Sequence, residues 1–117
     1  MARFATSADR DNVQSEMPWE ARQVPATLYG FLSDVAGRHP ARPAVTFQLL
    51  SGPSDPAETL TWADLLGKAT QVANMLRSLG VGEQDVVAYV LPNSVETALA
   101  LLGGAIAGIV NPINPLL

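Results

Sequence analysis

The stretch DVVAYVLPNSVETALALLGGAIAGIVNPI, residues 85–113, decides the fold class of this chain. It opens with DVVAYVL, residues 85–91, a continuous apolar run that Pro92 ends. A strand that is apolar on both faces is typical of the centre of a parallel sheet covered on two sides. The run therefore predicts a buried strand inside a layered α/β structure.

A helix and a second strand follow this predicted strand. Asn93 and Glu96 together have the spacing of an N-terminal cap, and Val95–Ala107 has the composition of a helix. The chain then resumes an apolar, β-branched pattern near Ile109. Strand, helix and strand in this order indicate a βαβ unit, for which a right-handed crossover is the rule.

The predicted helix over Val95–Ala107 is apolar nearly all round, so we expect it to be deeply buried. Its glycines, Gly103 and Gly104, and the following Gly108 do not match the spacing of a nucleotide-binding loop. They favour close packing between helices instead.

Residues 97–117 contain no ionisable side chain, which raises the alternative of a membrane span. Pro112 and Pro115 argue against a span, because they interrupt any helix that continues past residue 110. The composition thus favours a helix buried between protein layers.

A longer helix is predicted upstream, in TWADLLGKATQVANMLRSLGVG, residues 61–82. Thr61 and Asp64 resemble a capping box, and Gly80 stands where a left-handed residue commonly ends a helix. Its predicted apolar face comprises Leu65, Leu66, Ala69, Val72, Ala73, Leu76 and Leu79.

A hairpin is predicted before this helix. PAVTFQLL (residues 43–50) and TLTW (residues 59–62) read as strands on either side of the loop SGPSDPAE, residues 51–58. The loop is too long for a two-residue turn, so it does not define the register of the strands.

The first predicted helix lies in TLYGFLSDVAGRHP, residues 27–40. Thr27 is its expected N-cap, Gly37 its expected end, and Pro40 forbids its continuation. Leu28, Phe31, Leu32 and Val35 form its apolar stripe. Residues 1–26 are predicted to be an irregular N-terminal arm, pinned to an apolar surface by Trp19. Residues 27–117 are predicted to be one incomplete domain.

The composition excludes several classes of protein. The net charge of −4 and the scattered basic residues, none of which lies beyond Arg77, disfavour nucleic-acid binding. The chain has no cysteine, which excludes disulfides, thiolate nucleophiles and cysteine zinc sites and agrees with a cytoplasmic location. The N-terminus lacks the apolar segment of a secretory signal.

Few residues suggest chemistry. His39 follows a predicted helix end, where a cation favours the helix dipole, and no motif supplies the oriented partner that a general base needs. The carboxylate pairs Asp9 with Asp11 and Glu83 with Asp85 lie in the arm and in a turn, where solvated side chains are usual. We assign neither pair a catalytic or metal-binding role.

The segment LPNS, residues 91–94, lies where the buried strand leads into a helix. Ligands of open α/β sheets gather at such strand ends, and free helix N–H groups suit anions. Asn93 and Ser94 are also ordinary caps, and no glycine-rich loop or lysine accompanies them. We therefore assign no ligand to this segment from the sequence.

Four short patterns in order resemble one family: TWADL (residues 61–65), G-V-x-x-x-D-V-V-A (residues 80–88), LPNS, and A-G-x-x-N-P-I-N-P (residues 107–115). With TLYGFLSDVAGRHPARPAVTF (residues 27–47), they resemble the N-terminal region of the AMP-forming acyl-CoA synthetases, members of the adenylate-forming superfamily. The resemblance covers about residues 25–117. The NPINP ending is most similar to bacterial fatty-acyl-CoA ligases.

The resemblance implies a parent enzyme that joins a carboxylic acid, ATP and coenzyme A through an acyl-adenylate, with Mg²⁺ as the metal. The motifs that do this chemistry in the family lie downstream and have no counterpart here, and Lys68 is the only lysine. We therefore carry over no catalytic, cofactor-binding or metal-binding residue. We expect the chain to be an N-terminal fragment that is inactive alone and has the remainder of the enzyme as its partner.

Two alternatives stay open at this point. One is a non-catalytic interaction module that forms homo-oligomers through an exposed apolar surface. The other is a membrane-associated segment, which the prolines of the apolar region disfavour.

Overall fold

The computed structural model describes residues 5–114 of the 117-residue chain. The helices are α1 (Ser7–Glu16), α2 (Leu28–Arg38), α3 (Trp62–Ser78) and α4 (Val95–Ala107), and the strands are β1 (Pro43–Gln48), β2 (Ala57–Thr61), β3 (Val86–Tyr89) and β4 (Ile109–Pro112). From α2 onward, the predicted order of helix, hairpin, helix and βαβ unit is confirmed. The predicted α/β class is confirmed with it.

The strands β1 and β2 form an antiparallel hairpin with an irregularity between Pro43 and Val45. Thr46 faces Thr59 across it, and their hydroxyl oxygens are 3.0 Å apart. The second strand begins at Ala57, two residues before the predicted start, and Trp62 belongs to α3. The predicted strand and the predicted helix overlapped at Thr61 and Trp62, and the structure resolves the overlap because Thr61 both ends β2 and caps α3.

Side-chain hydrogen bonds close the long loop between β1 and β2. The Gln48 amide donates to the carbonyl oxygens of Gly52 at 2.8 Å and Asp55 at 3.0 Å. The Asp55 carboxylate accepts from the Gly52 N–H at 2.8 Å. These bonds satisfy polar groups of a loop that lies outside the ladder.

The strands β3 and β4 pair in parallel, with Val86 opposite Ile109 and Val87 opposite Val110. One face of this sheet packs on α4, because a Cβ added to Gly104 would lie 3.2 Å from a Val110 methyl carbon and 3.5 Å from one of Val87.

The opposite face of the β3–β4 sheet is open among the described residues. Val86 is 58% exposed and Ile109 49% exposed, and both point to that side. The prediction of a strand over residues 85–91 that is buried on both faces was therefore wrong for this part of the chain. The strand is shorter, and exposed residues alternate with half-buried ones. We call the surface formed by Val86, Ala88 and Ile109 the open sheet face.

One hydrophobic cluster of the core lies between the hairpin and the N-terminal halves of α3 and α4. Its buried members are Leu60, Leu65 and Val95. The half-buried side chains packed against them are Ala44, Val45, Phe47, Trp62, Leu99 and Leu102. Burying one such aliphatic side chain contributes roughly 1.5–3 kcal/mol, so this small cluster holds the hairpin to both helices.

The capping box of α3 is confirmed. The Asp64 N–H donates to the Thr61 hydroxyl at 3.2 Å, and the Asp64 carboxylate accepts from the Thr61 N–H at 3.2 Å and from its hydroxyl at 2.7 Å. The Thr61 bonds hold the pKa of Asp64 below its ordinary value near 3.8. Gly80, with φ of +94°, has the predicted left-handed conformation.

The predicted apolar face of α3 extends too far at its end. Leu65, Ala69 and Ala73 are buried, but Leu79 is 74% exposed. Leu79 is the C-cap of α3, one residue past the end of the helix, and the described neighbours leave its side chain uncovered.

The start of α2 is confirmed, because the Gly30 N–H donates to the hydroxyl of Thr27, its N-cap, at 3.0 Å. Its predicted end at Gly37 is one residue too early. The helix runs to Arg38, and the N–H of His39, its C-cap, donates to the Val35 carbonyl oxygen at 2.9 Å. A glycine inside a last turn does not by itself end a helix.

The N-terminal arm is not irregular, which corrects the prediction. Thr6 and Asp9 form a capping box at the start of α1, and Trp19–Arg22 form a short 3-10 helix. Hydrophobic periodicity does not predict α1, because no residue of this polar helix is buried. The expectation that Trp19 anchors the arm is also wrong, since its side chain is 68% exposed.

Between residues 5 and 114, no helix is both long enough and apolar enough to cross a membrane. Pro115, the last residue of the A-G-x-x-N-P-I-N-P pattern, lies outside the described residues.

Candidate functional site

The turn between β3 and α4 is the first candidate site, and its cap differs from the prediction. Ser94 is the N-cap, and its hydroxyl oxygen accepts from the Thr97 N–H at 3.2 Å. Asn93, the predicted cap, lies one residue outside, because α4 begins at Val95. The Thr97 hydroxyl donates to the Pro92 carbonyl oxygen and ties the turn to the helix.

The N-terminus of α4, the positive end of the helix dipole, already has a negative charge beside it, the carboxylate of Glu96. Hydrogen bonds from its own backbone N–H and from Ser94 lower the pKa of the exposed Glu96 carboxyl below its ordinary value near 4.5, with a smaller effect from Lys68. A carboxylate in the first turn favours the helix dipole. Glu96 therefore competes with any external anion for the same helix N-terminus.

A shallow cleft of about 290 Å³ adjoins this turn. It is lined by Val45, Thr46, Phe47, Asn93, Ser94, Thr97, Ala98 and Leu101. The hydroxyls of Ser94, Thr97 and Thr46 are engaged in hydrogen bonds within the protein. The cleft thus presents few free donors, and its arrangement suits contact with an apolar group better than binding of a phosphate.

The other candidate residues from the sequence, His39, Asp9 and Asp11, lie at helix ends or in local hydrogen bonds and ion pairs. His39 is exposed at the end of α2, where its carbonyl oxygen accepts from the Arg42 N–H at 3.1 Å. Asp9 belongs to the α1 capping box, and Asp11 forms an ion pair with Arg10 at 2.6 Å. Asp9 and Asp11 therefore do not act as a carboxylate pair.

The carboxylates of Glu83 and Asp85 also have separate surroundings. The Asp85 carboxylate accepts from the Gly82 N–H at 2.7 Å and stabilises the turn before β3. Glu83 instead lines a larger cleft. Among residues 5–114, no three acidic or histidine side chains are grouped so that they can hold a metal ion.

The larger cleft, of about 530 Å³, lies at the other end of α4. It is lined by Thr27, Leu28, Tyr29, Thr70, Ala73, Asn74, Arg77, Glu83, Ala105 and Ile106. Arg77 donates from Nη2 to the Ile106 carbonyl oxygen at 3.0 Å. No sequence pattern indicated this cleft, because Arg77 and Ile106 are 29 residues apart and belong to different helices.

Known proteins resemble this chain in sequence and in fold. Residues 32–117 match the family described as AMP-binding enzyme. The chain is 33% identical over 115 residues to the long-chain-fatty-acid–CoA ligase of Bacillus subtilis, with 89% of this chain and 19% of that ligase covered.

Solved structures agree with these matches. The fatty acid AMP ligase from Legionella pneumophila superposes with a TM-score of 0.70 and 25% identity, over 85% of this chain and 17% of that one. The N-terminal domain of FACL13 from Mycobacterium tuberculosis superposes with a TM-score of 0.62 and 30% identity, over 78% of this chain and 22% of that one. The chain therefore spans less than a quarter of the length of each of these relatives.

Proposed function

Because the chain belongs to the AMP-binding enzyme family, we propose that it forms the N-terminal part of a ligase that activates a fatty acid with ATP. The family match over residues 32–117 carries this proposal, since it spans the fold from α2 to β4. Two similar proteins, a fatty-acid CoA ligase and a fatty acid AMP ligase, support a fatty acid as the substrate class.

The proposed reaction of the whole enzyme has two steps. A carboxylate oxygen attacks the α-phosphorus of ATP, and the acyl-adenylate forms as pyrophosphate leaves. In the coenzyme A branch, the thiol then attacks the acyl carbon and AMP leaves. One of the two relatives is a CoA ligase and the other is an AMP ligase, so the first step is common to both and the second applies only to a CoA ligase.

The described residues do not fit a site for ATP and Mg²⁺ by themselves. Ser94 and Thr97 at the start of α4 are hydrogen-bonded locally, and Glu96 places a negative charge there. Lys68 is exposed on α3 and does not line the cleft beside this turn, and its charge acts on Glu96. We therefore assign no step of the reaction to a residue of this chain, and we propose a structural role for it.

We further propose that residues 27–117 are the N-terminal part of the large domain, with the remainder of the enzyme as its partner. The open sheet face supports this role. Parallel sheets are normally covered on both faces, and Val86 and Ile109 point away from α4 into solvent. A further layer of the parent enzyme over these side chains completes the sandwich.

The test is an ATP–pyrophosphate exchange assay on the 117-residue chain with a panel of fatty acids and Mg²⁺. We expect no exchange above background, because residues 5–114 do not form a site that fits the nucleotide. Exchange that depends on both the fatty acid and the chain contradicts the structural role.

A second candidate function is self-association through the open sheet face, which its apolar composition favours. Light scattering over a range of concentrations separates the candidates. A defined dimer supports an interaction module, and a heterogeneous aggregate supports a part of a larger domain. The cytoplasmic location predicted from the sequence stays a prediction.

A further inference from the structure

The larger cleft at the C-terminal end of α4 has the size of a ligand site. Its volume of about 530 Å³ lies within the range of roughly 300–1,000 Å³ typical of small-molecule pockets. Ala73 of α3 and Ala105 and Ile106 of α4 form an apolar wall. Because α4 has 13 residues, the cleft lies about 20 Å along the helix from the turn at Ser94.

Arg77 brings a positive charge to this cleft and is held in place there. Its Nη2 donates to the Ile106 carbonyl oxygen at 3.0 Å, which satisfies a free carbonyl of the last turn of α4. A guanidinium has five N–H donors, so one bond leaves most of them available. In the described part of the chain, ion pairs join Arg10 to Asp11 and Arg38 to Asp34, and Arg77 has none.

Glu83 brings a negative charge to the same cleft from the turn before β3. Within residues 5–114 its carboxylate makes neither a hydrogen bond nor an ion pair, and the amide of Asn74 beside it in the cleft lining is also unengaged. The Glu83 carboxylate and the Arg77 guanidinium therefore line one cleft without forming an ion pair with each other. A ligand that carries both charges complements this arrangement.

We propose that this cleft binds a zwitterionic amino acid with an aliphatic side chain. Its carboxylate is bound by Arg77, its ammonium group by Glu83, and its side chain lies on Ala73, Ala105 and Ile106. A simple carboxylate fits less well, because Glu83 repels it, and a simple amine meets the same difficulty with Arg77. The site is separate from the β3–α4 turn and does not depend on the proposed ligase function.

Three compounds with matched carbon chains test this proposal by NMR titration of the 117-residue chain. Norleucine has both charges, hexanoate lacks the ammonium group, and pentylamine lacks the carboxylate. We expect saturable shifts of the Ala73, Ala105 and Ile106 amides and of the Arg77 Nε–H with norleucine. Each missing charge should weaken binding by about ten- to a hundredfold, the usual effect of losing one hydrogen bond to a charged group.

The variants Arg77→Gln and Glu83→Gln should each weaken norleucine binding by a similar factor, while Lys68→Gln, outside the cleft on α3, should not change it. Arg77→Gln also removes the bond to Ile106, so its fold is checked by circular dichroism. Glu83→Gln removes no bond within the described protein. If Arg77→Gln does not fold, Glu83→Gln is sufficient to test the proposal. Absence of saturable shifts, equal binding of hexanoate, or unchanged binding by Glu83→Gln overturns the proposal.

Discussion

Gly103 of α4 lies directly against Val72 of α3. A Cβ added to Gly103 would be 2.5 Å from both Cβ and Cγ1 of Val72 and 3.1 Å from the Ala69 carbonyl oxygen. These distances are too short for a real Cβ, so the two helices pack at a separation that only glycine permits. The prediction of close helix packing is thus confirmed for Gly103, whereas Gly104 packs against Val110 and Val87 of the sheet.

The substitution Gly103→Ala should destabilise the chain by about 1–3 kcal/mol, the usual cost of overpacking, as measured by urea unfolding. Gly67→Ala on α3 is the matched control, because a Cβ there meets no atom within 4 Å. It should stabilise the chain by about 0.5–1 kcal/mol through the higher helix propensity of alanine. Equal effects of the two substitutions contradict the close packing.

Two capping boxes of the same design should differ in their effect on stability. Thr61→Ala removes the cap of α3, which carries the buried residues Leu65, Ala69 and Ala73, and should cost about 0.5–2 kcal/mol. Thr6→Ala removes the cap of α1, which has no buried residue. We expect Thr6→Ala to lower helicity by circular dichroism and to leave the unfolding midpoint unchanged. If the unfolding midpoint falls equally in both variants, α1 packs against the rest of the fold.

Stability should fall in acid partly through Asp64. Its folded pKa lies below the ordinary value near 3.8, because Thr61 donates to its charged form. The stabilising contribution is therefore complete above the unfolded pKa and is lost as pH falls through the lower folded pKa. Asp64→Asn should reduce the loss of urea midpoint between pH 6 and about 3. Glu16→Gln, an exposed change on α1, is the control, and an unchanged acid profile for Asp64→Asn contradicts this role.

The open sheet face should drive self-association of the isolated chain. Val86→Thr with Ile109→Thr keeps β-branched side chains at register partners and adds polar groups. We expect this pair to lower the concentration-dependent mass seen by light scattering. Leu79→Gln, at an exposed leucine off the sheet, should have less effect. If Leu79→Gln abolishes association and the threonine pair leaves it intact, a different surface drives association.

The sequence predicted those parts of the fold that depend on neighbouring residues. The Thr61–Asp64 box, the left-handed Gly80 and the start of α2 at Thr27 are local features, and each was confirmed. The βαβ unit was predicted for a similar reason, because its strand, turn and helix follow one another directly.

The predictions that were wrong concern what each element faces. The residues 85–91 have the composition of a covered strand, yet no described layer covers Val86. Trp19 is apolar but is largely exposed, and the polar α1 has a capping box and no buried residue. The larger cleft needs Arg77 to meet Ile106 across two helices, and only tertiary packing brings them together.

The central claim is that this chain forms the N-terminal part of a ligase that activates a fatty acid. Its most direct test is a chimera with a related enzyme. Residues 28–114 of this chain replace the matching segment of the Bacillus subtilis long-chain-fatty-acid–CoA ligase, to which the chain is 33% identical. Fatty-acid-dependent ATP–pyrophosphate exchange is then measured beside a ligase from which the segment is deleted. Exchange well above that of the deleted ligase is the predicted result. A chimera that unfolds cooperatively, and so is folded, but exchanges no more than the deleted ligase contradicts the claim.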